Sequence, residues 1–101
     1  MEEDAVLYAN RYIQRLVKEL EALSTENIAE ISTVLRHAQQ SRKRVYVFGN
    51  GGSAATASHM ACDFCKNTYE PEQPRLKVIS LVDNLARLTA YANDQGYENV
   101  F

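Results

Sequence analysis

Tryptophan is absent, and the 101 residues hold only two cysteines, two prolines and four glycines. No apolar run approaches the ~20 residues that a helix needs to cross a bilayer, which excludes a membrane-spanning helix of ordinary length and argues against a membrane partner. Two cysteines, Cys62 and Cys65, are too few for a disulfide framework. The acidic start, Met1-Glu2-Glu3-Asp4, is unlike a signal peptide. Together these features suit a cytoplasmic protein. There is also no excess of one charge: 11 Lys and Arg stand against 13 Asp and Glu, a net charge of −2. The one basic run, Arg42-Lys43-Arg44, reads as a solvated helix end whose cations complement the dipole. Nucleic acid is therefore not an expected partner.

What is present is an alternation of helix and strand. Ala5, Tyr8, Tyr12, Leu16, Leu20 and Leu23 recur at three- and four-residue steps, which predicts an amphipathic helix over 3–23. Ser24 or Thr25 suits the cap of a second helix, with Ile28, Ile31, Leu35 and Ala38 as its stripe, ending near Ser41. The two form an expected helical hairpin over residues 1–43, with stripes that need something to bury them. Val45-Tyr46-Val47-Phe48 predicts a short strand covered on both faces. A helix over about 53–67 follows, then a surface loop with Pro71 and Pro74, and a second strand at Lys77-Val78-Ile79-Ser80-Leu81. Asp83 or Asn84 caps a helix to about Ala92, Asn93-Asp94-Gln95-Gly96 reads as a turn, and Tyr97–Phe101 begins another helical turn. The order αα-β-α-β-α predicts an α/β fold with parallel strands joined by a right-handed crossover over 44–101. Two strands cannot cover their own faces and edges, so the expectation is an amino-terminal piece of a longer domain, and one that self-associates.

Glycine is scarce, yet three of the four glycines fall within Gly49–Gly52. The segment Phe48-Gly49-Asn50-Gly51-Gly52-Ser53 runs off the first strand into a helix start. Tandem glycines let the backbone turn sharply and approach a ligand closely. The helix start presents free N–H groups and a positive dipole end to an anion, and Asn50 and Ser53 add hydrogen-bonding side chains. This suits a phosphate or a polyhydroxylated sugar; the plainer alternative is a tight turn without a ligand. Gly49–Ala54 also satisfies the dinucleotide pattern G-x-G-x-x-G/A. That pattern wants an acidic residue about 20 positions on, at the end of the second strand. Asp83 is too distant for this, while Glu70 and Glu72 sit in the proline loop. His59 and Asp63, four apart, project from one helix face, where imidazole and carboxylate make an ordinary zinc pair. The plainer reading is a surface pair in weak electrostatic contact. Cys62 and Cys65 lie well inside the helix rather than at its start, which favours packing over redox chemistry.

The glycine loop with Ala54 and Ala55, His59, and the later Asn93-Asp94-Gln95-Gly96-Tyr97 segment resemble the sugar-isomerase (SIS) fold, and more narrowly the phosphoheptose isomerases. The resemblance covers essentially the whole chain and implies a flavodoxin-like parallel sheet, of which only the first two strands are present. It implies conversion of sedoheptulose 7-phosphate to D-glycero-D-manno-heptose 7-phosphate, an aldose–ketose isomerisation of carbohydrate metabolism. Asn50, Gly51, Gly52, Ser53, Asn93 and Asp94 would contact the sugar phosphate. His59 would be a zinc ligand, and Asp63 would stand where the family has a glutamate that serves as metal ligand and proton-transfer base. Homotetramers with pockets between subunits are implied too.

Two departures matter. Aspartate sets its carboxylate about 1.5 Å further back than glutamate, and a 1 Å misplacement can cost roughly 100-fold in rate. The family's second, serine-rich phosphate loop and its remaining zinc ligands have no counterpart here, and two protein donors fall short of the three a catalytic zinc uses. Taken as a complete chain, these residues are expected to be inactive or nearly so. The competing expectation is a non-catalytic SIS-type module that binds a phosphosugar or a protein partner and regulates.

Overall fold

The computed structural model describes residues 2–101; Met1, first of the acidic Met1–Asp4 stretch, lies outside them, and side chains are described from Asp4 onward. The elements run α1 (Glu2–Glu21), α2 (Thr25–Gln40), β1 (Arg44–Val47), α3 (Gly52–Lys66), β2 (Lys77–Ser80), α4 (Leu85–Gln95) and a 3-10 turn (Tyr97–Asn99). They fall into two compact units, one running to Ile31 and the other spanning Ser32–Phe101.

In the first unit, α1 and the start of α2 follow the expected periodicity. Ser24 is the cap of α2: its hydroxyl accepts the Asn27 N–H at 3.1 Å, which satisfies one donor that the first turn cannot pair internally. The apolar stripe of α1 nevertheless stays exposed from Tyr8 to Leu20, as do Leu23, Ile28 and Ile31. Local periodicity formed these helices without a buried surface to receive them.

The second unit is the α/β body. β1 and β2 pair in parallel, Val45 opposite Val78 and Val47 opposite Ser80; a further bond from Leu81 N–H to the Val47 carbonyl (2.9 Å) extends the ladder. Because side chains alternate along a strand, Val45, Val47 and Val78 share one face. That face packs with Ala61, Leu76, Phe64 and Cys65. Among the described residues only Ala57, Ala61, Leu76 and Val78 are buried. Two of these are the small residues that let α3 lie close on the strands. The Cys65 thiol donates to the Val78 carbonyl at 3.4 Å, a packing role, while Cys62 is exposed.

Three expectations are corrected. β1 is covered on one face, not both: Tyr46 and its neighbour Ile79 are exposed on the other. The continuous apolar run reported the strand but not what lies over it. β1 also stops at Val47, so Phe48 belongs to the loop. Finally, Asn93-Asp94-Gln95 is not a turn but the last turn of α4. The helix ends where Gly96, at φ 91°, takes the backbone out of helical conformation; the modest helix aversion of Asn and Asp is not enough to end it sooner.

Candidate functional site

The glycine loop joins β1 to α3, and its shape is set by two glycines. A Cβ on Gly49 would sit 2.7 Å from Ser53 Cβ and 2.8 Å from the Ser53 carbonyl carbon, so only glycine allows the loop to fold this tightly onto the helix start. Gly51 is the residue before α3 and has φ 55°, ψ −122°, a conformation that side-chain-bearing residues avoid. It supplies no side-chain cap. The N–H groups of Ser53, Ala54 and Ala55 turn back to the carbonyls of Asn50 and Gly51. Among the described residues, those of Gly51 and Gly52 have no such bond. Both lie exposed at the positive end of a 15-residue helix, where backbone donors and the dipole favour an anion.

Asn50, also exposed, accepts a hydrogen bond on Oδ1 from the hydroxyl of Tyr97 at 2.6 Å. Nothing short-range in the sequence signals this pairing across 47 positions. Ser53 lies exposed in the first turn of α3. It also borders a groove formed with Tyr46, Phe48, Thr56 and Met60.

Further along α3, His59 Nε2 lies 3.4 Å from Asp63 Oδ2, as the four-residue spacing predicts. Asp63 Oδ1 also accepts from Asn67 Nδ2 at 3.3 Å, a partner that the sequence reading passed over although it too follows at four residues. The pair is open to solvent, with the imidazole 79% and the carboxylate 49% exposed. Gly52, Thr56, His59 and Asp63 follow one another at three- and four-residue steps and so form one stripe of the helix; Thr56 Oγ1 donates to the Gly52 carbonyl at 3.1 Å. At 1.5 Å per residue, His59 lies about 10 Å along the axis from Gly52.

Asn93 and Asp94 pair with each other in α4, Nδ2 to Oδ1 at 3.0 Å, and both are exposed. No hydrogen bond among the described residues joins them to Asn50–Ser53; the link between the two segments runs through Tyr97. Asp83 is tied instead to α3, accepting from the Ser58 hydroxyl. Asn84 caps α4, accepting from the Arg87 N–H at 2.9 Å.

As a metal site the chain by itself does not fit. Among the described residues no three His, Cys, Asp or Glu side chains converge, and His59 with Asp63 supplies two donors where a catalytic zinc uses three.

The pattern of the SIS domain matches residues 8–101. The chain is 38% identical over 88 residues to the phosphoheptose isomerase of Thermodesulfovibrio yellowstonii, covering 84% of this chain and 43% of that protein. It is 37% identical over 89 residues to that of Shewanella halifaxensis, covering 88% and 44%. The solved structure of phosphoheptose isomerase GmhA from Neisseria gonorrhoeae superposes with a TM-score of 0.82 at 25% identity, over all of this chain and 51% of that one. The chain thus spans about half the length of the relatives it matches. With the glycine loop, the parallel strand pair and the helical lead-in all in place, the chain belongs to the SIS domain family and is homologous to the phosphoheptose isomerases.

Proposed function

We propose that the chain forms one wall of a phosphosugar isomerase site acting on sedoheptulose 7-phosphate. The observation that carries this is a single helix, α3, that starts with two uncommitted N–H groups in a glycine loop and carries a histidine–carboxylate pair on the same stripe. In this reading Asn50, Gly51, Gly52 and Ser53 hold oxygens of the sugar phosphate, and Asn93 and Asp94 contribute from α4. Asp63 is the proton-transfer base, moving a proton between adjacent carbons of the open-chain sugar. His59 and Asp63 are two donors toward zinc, with further donors needed from outside this chain. Assembly into a homotetramer and a cytoplasmic setting belong to the same proposal. The exposed apolar stripes of α1 and α2 support self-association, and among the described residues no helix is long and apolar enough to cross a membrane.

The test separates binding from turnover. The 101-residue chain should bind sedoheptulose 7-phosphate in calorimetry and show no isomerisation when assayed with zinc. Absence of binding overturns the phosphosugar reading; measurable turnover overturns the incomplete-site reading.

A second reading, a phosphosugar-binding or partner-binding regulator without catalysis, is favoured by the aspartate at position 63, whose shorter side chain stands where the resemblance calls for glutamate. Asp63→Glu discriminates between the two once the missing donors are supplied, for instance by mixing with the complementary half of a relative. Zinc-dependent turnover with the native Asp63 supports the enzyme; turnover only in Asp63→Glu, or ligand binding without turnover in both, supports the regulator.

A further inference from the structure

Given the phosphosugar reading of the loop, on which this rests, we infer that Tyr97 is a positioning residue that fixes the amide of Asn50 so that it presents N–H donors, not its carbonyl, to the ligand. The Tyr97 hydroxyl lies 2.6 Å from Asn50 Oδ1. That separation falls within the range of an O–H···O bond, with the amide oxygen facing Tyr97. The nitrogen faces away from it. Asn50 Nδ2 makes no hydrogen bond of its own among the described residues, and the next two residues carry the uncommitted N–H groups of Gly51 and Gly52. With the amide held this way, the loop offers donors alone at its tip, which matches phosphate or carbonyl oxygens. With the amide turned over, it would set an acceptor among them.

A second contact holds the same two segments together. The rings of Phe48 and Phe101 lie 4.9 Å apart between centroids, inclined at 39°, a separation at which aromatic pairs attract. The residues after Gly96 thus meet the loop on both sides of Gly49, by a hydrogen bond at Tyr97 and by ring contact at Phe101. Tyr97 and Asn50 are both exposed, so their bond adds little to folding stability. Its effect lies in restricting one side-chain rotation beside the ligand.

Tyr97→Phe removes the hydroxyl and keeps the ring. Calorimetric titration of the full chain with sedoheptulose 7-phosphate should show binding weakened roughly 3- to 10-fold, the worth of one hydrogen bond, with an unchanged melting temperature. Asn50→Ala should weaken it at least as much, and the double variant should be no weaker than Asn50→Ala alone, because the two residues act as a unit. Wild-type affinity in Tyr97→Phe, or additive losses in the double variant, would overturn the role. The two Asn50 side-chain N–H resonances provide a separate readout: they should lie away from free-asparagine positions in the wild type and move toward them in Tyr97→Phe. If the wild type binds no phosphosugar, the functional reading falls and the role toward ligand with it. Unchanged Asn50 resonances in Tyr97→Phe would instead overturn the orientation itself, whatever binds.

Discussion

Helices α3 and α4 both follow a β-strand, yet they begin in opposite ways. At α4 a side chain caps the helix: Asn84 Oδ1 takes the Arg87 N–H and so satisfies one donor of the first turn. At α3 the preceding residue is Gly51, which has no side chain to offer, and the N–H groups of Gly51 and Gly52 remain uncommitted. An uncapped start forgoes about 1 kcal/mol of capping, and the Gly51 conformation is one that glycine alone adopts without strain. The α4 start reads as structure made for its own stability. The α3 start has the features of a surface kept open for something negatively charged, which is why the functional proposal rests there.

The largest test of this contrast is Gly49→Val. Its Cβ would lie within 2.9 Å of the Ser53 backbone and side chain, so the loop must open or α3 must move. Urea unfolding should show a loss of roughly 3 kcal/mol, the range of overpacking and strain. A loss below about 1 kcal/mol would mean that the loop relaxes freely and is not held by Gly49. Gly51→Ala comes next. Nothing stands within 4 Å of the added Cβ, so the cost is conformational and arises from φ 55°, about 1–2 kcal/mol. Because ψ −122° lies outside the left-handed helical region that Asn tolerates, Gly51→Asn should lose about as much as Gly51→Ala in the same unfolding experiment. A clear recovery with Asn would show that positive φ alone sets the cost.

How much of this contrast the residues themselves announce differs between the two ends of α3. The loop was legible because its cause is local: glycines at 49, 51 and 52 admit few alternatives, and β-branched Val45 and Val47 mark the strand that leads into it. His59 and Asp63 were legible as neighbours for the same reason, since helical spacing alone brings them together. The Tyr97–Asn50 bond was not, because 47 residues separate the partners and no periodicity joins them. The end of α4 is not legible from Asn93 and Asp94, because their turn propensity, a local preference of tenths of a kcal/mol, yields to continuing hydrogen bonds until Gly96 ends them. The one-sided cover of β1 was hidden for a further reason: an apolar strand run states what the residues tolerate, whereas the exposure of Tyr46 and Ile79 depends on which elements are there to cover them.

A smaller effect is expected on the α4 side of the comparison. Asn84→Ala removes the cap and should cost about 1 kcal/mol, read as a lower melting temperature and faster amide exchange at Arg87. It should leave phosphosugar binding unchanged, because neither Asn84 nor Arg87 belongs to the loop. A parallel loss of binding would mean that the start of α4 is coupled to the site through Asn93 and Asp94 or through the turn that carries Tyr97.

The smallest effect discriminates most finely between the two helix starts. Every helix N-terminus attracts anions to some degree through its dipole, so weak phosphate binding at α3 proves nothing unless α4 is the control. Inorganic phosphate at a concentration equal to its dissociation constant stabilises the fold by only about 0.4 kcal/mol, too little for a convincing thermal shift. Amide resonances resolve it. Titration should move the Gly51 and Gly52 N–H signals along a saturable curve, while Arg87 stays in place because its N–H is already held by Asn84. In Asn84→Ala the α4 start is opened too. If it then responds to phosphate as strongly as α3, an open helix end suffices and the glycine loop adds nothing specific. If α3 alone saturates in both proteins, the difference lies in the loop: its two backbone donors, the oriented amide of Asn50, and the glycine at 49 that brings them within reach of one anion.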